Sequence, residues 1–99
     1  MFVTLRYFDG CPNWQTTDAL LREALDATGH TDLAVDREKV ETLEDADRLG
    51  FVGSPTVLID GHDPFFLPGA PVGLACRLYA TPEGLRGSPT IEQLVEVLR

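Results

Sequence analysis

Apolar and polar residues alternate along the first eight positions, and the period then changes. Phe2 to Phe8 is rich in β-branched and aromatic residues and reads as a strand. Asp9-Gly10 breaks it, and Cys11-Pro12 follows at once. From there to Thr28 the period becomes helical: Trp14, Thr17, Leu21, Ala24, Leu25 and Thr28 form one largely apolar face. Pro12 suits the first helical turn, where its missing N–H costs nothing, and Gly29 suits the stop. Asp32 to Val40 reads as a second strand, with Leu33, Val35 and Val40 as its apolar positions. Thr42-Leu43-Glu44-Asp45 resembles a capping box, and the short helix it opens runs to Leu49 and ends at Gly50, with Phe51 placed to pack back over it. Thr56-Val57-Leu58-Ile59-Asp60 is a continuous apolar run of the kind found in central strands, closed by the turn signal Asp60-Gly61.

The segment from His62 to Ala75 carries Pro64, Pro68, Pro71, Gly69 and Gly73 and reads as an irregular loop. Phe65, Phe66 and Leu67 inside it are too apolar to lie free in water, so they either cover the core or line a site. Leu74 to Ala80 reads as a fourth strand or a short turn. Ser88-Pro89 reads as the cap of a last helix, whose buried stripe is Ile91, Leu94, Val95 and Leu98. The expected order is βαβαβ(β)α, and no repeat or linker divides residues 1–99, so one α/β domain is expected.

Charge narrows the functional classes. Sixteen acidic against eight basic side chains give a net charge of −8, which repels phosphate backbones and anionic lipids; nucleic-acid and membrane-surface partners are not expected. No apolar run approaches the ~20 residues of a membrane helix. Met1 to Phe8 shows neither a basic region nor a cleavage site, which points to the cytoplasm. Two cysteines, Cys11 and Cys76, cannot build the multi-bridge framework of a small secreted domain. With His30 and His62 they make four candidate ligands but show no finger-like spacing, so no structural metal site and no cofactor are expected, and both histidines read as surface residues. Glu38, Glu41, Glu44, Asp45 and Asp47 read as a solvated face rather than a paired-carboxylate site.

A strand entering a Cys-Pro turn and helix, then an α/β crossover, then an X-Pro-Thr strand, resembles the thioredoxin-like superfamily. The pieces that carry the resemblance are Phe8-Asp9-Gly10-Cys11-Pro12-Asn13-Trp14 and Gly53-Ser54-Pro55-Thr56-Val57, with Cys11 and Pro55 separated by 44 positions. The likeness covers residues 1–60 and 88–99. It implies a central mixed β-sheet flanked by helices on both faces, with a cis Pro55 facing the Cys11 thiol. It also implies that backbone groups at Ser54 are exposed to pair with an extended peptide or a low-molecular-weight thiol. Pro12, Trp14, Ser54, Pro55 and Thr56 then become the substrate-binding set. One departure matters: Trp14 occupies the place of the second cysteine of Cys-X-X-Cys, so the local disulfide of that motif cannot form. Cys11-Pro12-Asn13-Trp14 is similar instead to the single-cysteine motifs of monothiol glutaredoxins.

A thiol attacks as thiolate, and the positive end of a helix favours that anion. At a pKa of ~8.5 only about 3% of a free cysteine is ionised at neutral pH, so a depressed Cys11 would gain reactivity. Asp9 opposes ionisation if it faces the sulfur, and the nearest cation in sequence is Arg6. Cys76 has apolar neighbours in Leu74, Ala75, Leu78 and Tyr79: either it resolves an oxidised Cys11 or it is a buried, slowly reacting thiol, while Arg77 beside it favours a thiolate, binds an anion or lies on the surface. Resolution of Cys11 by an external thiol is favoured here, because a distant cysteine must meet strict bridge geometry. Because a helix start favours the Cys11 thiolate while apolar neighbours slow Cys76, Cys11 is expected to alkylate faster than Cys76. Tyr7 and Trp14 either stack on a ligand or pack in the core. The leading expectation is therefore an oxidoreductase or thiol-transfer protein acting on a protein or small thiol or disulfide. The alternatives are a module that captures a thiophilic ligand such as mercury or copper, and a redox-inactive interaction domain.

Overall fold

The structure, a computed structural model, describes residues Met1 to Arg99 and holds eight elements. They are β1 (Val3–Tyr7), α1 (Asn13–Ala27), β2 (Val35–Lys39), α2 (Leu43–Leu49), β3 (Thr56–Ile59), β4 (Tyr79–Thr81), β5 (Gly84–Arg86) and α3 (Ile91–Leu98). β1 is the centre of a mixed three-stranded sheet ordered β2-β1-β3. It pairs parallel with β2, in register Val3 with Val35, and antiparallel with β3, in register Leu5 with Val57. A parallel pair needs a crossover, and α1 supplies it.

Alternation along β1 sorts the two faces. Val3 and Leu5 are fully buried and join Val35 and Val57 under α1 and α3, which contribute Leu21, Ala24, Leu25, Leu94 and Leu98. Arg6 points the other way, where its guanidinium pairs with Glu38 and donates to the Leu49 carbonyl at the end of α2 (3.2 Å). Glu38, its side chain 43% exposed, thus sits on the solvated acidic face and pairs with Arg6 there. Val40, Ala46 and Phe51 form a second, smaller cluster around α2, with Leu74 packed against it. Phe51 folds back as expected, because Gly50 takes the left-handed conformation (φ 66°) that ends α2.

Three local expectations change. The last helix is capped by Thr90, not Ser88: the Thr90 hydroxyl accepts from Gln93 N–H while the Gln93 side chain accepts from Thr90 N–H. Ser88 instead meets the Thr17 hydroxyl of α1 at 2.6 Å. The fourth strand begins only at Tyr79, and it belongs to a separate hairpin with β5, turned at Pro82-Glu83. His30 is half-buried, its ring within 3.2 Å of the Leu98 carbonyl, while His62 is exposed. No helix is long and apolar enough to cross a membrane.

One buried acid ties α1 to the sheet. Asp18 accepts from Arg37 of β2 (2.7 Å) and from Arg22 one turn along α1 (3.2 Å). Burial pushes its carboxyl up, but the two guanidinium hydrogen bonds outweigh that and hold it below the usual carboxylate range. A folded pKa below the unfolded one means stability present above the unfolded value, near ~3.9, and lost as pH falls through the folded one. Asp18→Asn is therefore expected to be less stable than the parent in urea melts near neutral pH, with the deficit shrinking towards about pH 2. A deficit that grows on acidification would refute this assignment.

Candidate functional site

Two cysteines far apart in sequence meet where the start of α1 faces the residues before β3. Cys11 and Cys76 form a disulfide across a separation of 65 residues, with their Cα atoms 5.6 Å apart. The geometric objection to Cys76 as a partner of Cys11 therefore falls, since bridged cysteines lie within this Cα range. Trp14 still excludes a local bridge; the second sulfur arrives from the proline-rich loop instead.

Four features hold Cys11. Its N–H donates to the Phe8 carbonyl (3.2 Å), closing the turn out of β1. Pro12 follows as the residue that opens α1, with helical φ and ψ, and no side chain caps the first turn. The amide N–H groups of that turn therefore leave a positive helix end near the sulfur. The Ser54 carbonyl lies 3.6 Å from the Cys11 sulfur, and the Ser54-Pro55 peptide bond is cis. Asp9, expected to oppose a Cys11 thiolate, is taken up by Lys39 at 2.6 Å, and this partner raises the Lys39 pKa through a hydrogen bond and charge attraction.

Cys76 is held by a strap. The Ser54 N–H donates to the Ala75 carbonyl (2.8 Å), and the Arg77 N–H donates to the Ser54 carbonyl (2.9 Å), so Cys76 bridges Ser54 in the manner of a parallel strand. The backbone groups of Ser54, expected to be free for an incoming peptide, are thus occupied by the chain's own residues. Ser54, Pro55 and Thr56 are all buried. Gly53 makes this approach possible. Its φ of +121° belongs to the region that favours glycine, and a Cβ there would stand 2.9 Å from the Arg77 Cβ and 3.3 Å from the Ala75 carbonyl.

Arg77 anchors the strap. Its guanidinium is buried and donates to Asp63 (2.7 and 3.4 Å), to the Phe65 carbonyl (2.7 Å) and to the Thr56 hydroxyl (3.3 Å), and it lies 4.6 Å from the ring centre of Tyr79. It is neither a surface residue nor a free anion site. The Tyr79 hydroxyl donates to the Pro55 carbonyl, and burial pushes its pKa far above the ordinary tyrosine value, so it stays a donor. Phe65 packs edge-on against Tyr79 (5.5 Å), which settles its part in the loop as core cover, whereas Phe66 and Leu67 are exposed.

The remaining predicted residues spread around this pair. Pro12 is exposed beside the bridge. Trp14 is half-buried, stacked on Tyr7 (4.3 Å) and flanked by Arg37 (5.1 Å). Both rings therefore have packing partners of their own. Access to the two cysteines runs against the expected order of alkylation: Cys11 is fully buried, and Cys76, despite its apolar neighbours, is an exposed residue. Reasoning from sequence missed Asp63, Gly53 and Tyr79. The signals open to it were Gly53 before Ser-Pro and the acid Asp63 across the loop from Arg77. No group of three or more His, Cys, Asp or Glu side chains converges in a way that suits a metal ion. Set against protein-family models, curated proteins and solved structures, the chain matches none.

Proposed function

We propose that this is a thioredoxin-like thiol-disulfide protein whose working couple is Cys11 and Cys76. The observation that carries the reading is the Cys11–Cys76 disulfide, placed between an uncapped helix start and the Ser54 backbone. In the reducing cytoplasm expected from the sequence, a lone disulfide of this kind belongs to catalysis or redox sensing more often than to structure. In the reducing direction one cysteine thiolate attacks a substrate disulfide, forming a mixed disulfide and releasing one substrate thiol. The other cysteine then attacks the protein-bound sulfur, closes the 11–76 bridge and releases the second thiol. Two electrons pass from the protein to the substrate, and each new sulfur–sulfur bond replaces one that breaks. The external-thiol route favoured by sequence gives way here to an internal second cysteine.

The test is consumption of a small-molecule disulfide by the fully reduced chain, followed together with mass mapping of the 11–76 bridge. Loss of substrate disulfide should match bridge formation one for one, and Cys11→Ser and Cys76→Ser should each abolish the coupled reaction. Undiminished turnover in Cys11→Ser would overturn the proposal and return the chain to the ligand-capture or interaction-domain readings.

A further inference from the structure

The two sulfurs of the bridge are unequal, and this deepens the function proposed above while resting on it. Thiol–disulfide exchange begins with a thiolate approaching one sulfur along the bond axis, so access decides which sulfur is struck. Cys11 has no solvent exposure. Cys76 is exposed and lines a surface groove of about 400 Å³, whose apolar walls include Val52, Leu67, Pro71, Val72 and Leu78. We infer that Cys76 is the sulfur that receives an incoming thiolate, that Cys11 departs as the leaving thiolate, and that the preferred partner is a cysteine carried on an extended, apolar peptide segment.

The departing sulfur is suited to its part. Cys11 stands at the positive end of α1, with Asp9 held off by Lys39, and a stabilised thiolate leaves faster. The balance is simple. The incoming thiolate forms a bond to the Cys76 sulfur as the Cys76–Cys11 bond breaks, and its electron pair goes to Cys11, which then takes a proton from water. A second thiol attacks the sulfur of the bound partner, forms the external disulfide and frees Cys76 as thiolate.

Three observations select the partner. Ala75 C=O and Arg77 N–H turn towards Ser54, so the N–H and C=O of Cys76 turn away from it, and neither makes a hydrogen bond within the chain. An extended peptide pairing with them would carry its own sulfur to Cys76 by strand addition. The groove beside it is apolar, with Leu67 and Leu78 more than half exposed. A net charge of −8 repels small anionic thiols such as glutathione.

The experiment uses the oxidised full chain. It is exposed separately to an uncharged, apolar cysteine pentapeptide and to glutathione at equal thiolate concentration, quenched in acid, alkylated and mapped by mass. The pentapeptide adduct should sit on Cys76 with Cys11 alkylated, and should form about tenfold faster than the glutathione adduct, as an apolar pocket contact allows. An adduct on Cys11 overturns the order of the sulfurs, and equal rates overturn the choice of partner; both leave the Cys11–Cys76 couple standing. Oxidised chain that lacks the 11–76 bridge would bring down the proposed function itself. Single-cysteine variants give an independent reading where adducts do not accumulate. Reduced Cys11→Ser should react with an aromatic disulfide faster than reduced Cys76→Ser, and the reverse order counts against Cys76.

Discussion

Reduction of the Cys11–Cys76 bridge is expected to lower the stability of the fold by about 4 kcal/mol, the chain-entropy value for a closed loop of this length. The bridge spans a sequence separation of 65 in a chain of 99 residues, so most of the unfolded chain is confined by it. A domain of this size has a total stability of only about 5–15 kcal/mol, so the loss is a large fraction of the whole. At roughly 4–8 °C per kcal/mol the melting temperature should fall by about 20 °C. The check is a pair of thermal melts of the unaltered chain, with and without a phosphine reductant, which avoids placing a serine hydroxyl in the fully buried Cys11 position. Unchanged melting on full reduction would show that the bridge closes no constraint that the rest of the fold does not already impose. The core under α1 and α3 does not depend on either sulfur, so the reduced chain should keep the β2-β1-β3 sheet and loosen first in the strap.

Much of this arrangement is legible in the sequence, because it is local. The strand-to-helix turn at Cys11-Pro12, the stop at Gly50 with Phe51 behind it and the apolar run of β3 each follow from period and punctuation within a few residues. Those signals set down the α/β order, while the mixed strand directions entered only through the family resemblance. The strap at Ala75–Arg77 is different. It makes only two backbone hydrogen bonds, both to Ser54, and no periodic pattern marks a residue held at a single bridge. The β4–β5 hairpin escaped for a related reason: its strands are three residues each, and all of β5 is exposed, so no alternation of apolar residues reveals it. Thr90 displaced Ser88 as the helix cap because a cap is defined by the partner three residues on, and Gln93 fits only Thr90.

The apolar neighbours of Cys76 in sequence do not bury it, for a physical reason. Leu78 and Ala75 are apolar neighbours in sequence, yet in an extended segment successive side chains point to opposite sides, and Leu78 itself is 58% exposed. Arg77, between them, turns inward instead. The buried side of the strap is therefore charged and its open side apolar. That inversion leaves Cys76 accessible beside an apolar groove and makes the fold depend on one guanidinium.

The second large effect is expected at that guanidinium. Arg77 and Asp63 have side chains only 9% and 11% exposed, and breaking a buried pair by removing one charge costs about 3–5 kcal/mol, because the other charge stays out of water without its partner. Asp63→Asn keeps one amide oxygen for Arg77, so its cost should lie at the lower end, about 3 kcal/mol in urea unfolding. Removing both charges together in Asp63→Asn/Arg77→Met should cost less than the sum of the single variants by at least about 1 kcal/mol, since the double variant strands neither charge. The strap adds a chemical readout. Cys76 neighbours Arg77 directly, and the Arg77 N–H is one of the two bonds that pin the strap to Ser54. A loosened Arg77 lets Cys76 spend less time within reach of Cys11, so Asp63→Asn should also slow re-formation of the bridge in the reduced chain. Full additivity of the two substitutions, together with an unchanged rate of bridge closure, would show that Asp63 does not hold the strap through Arg77.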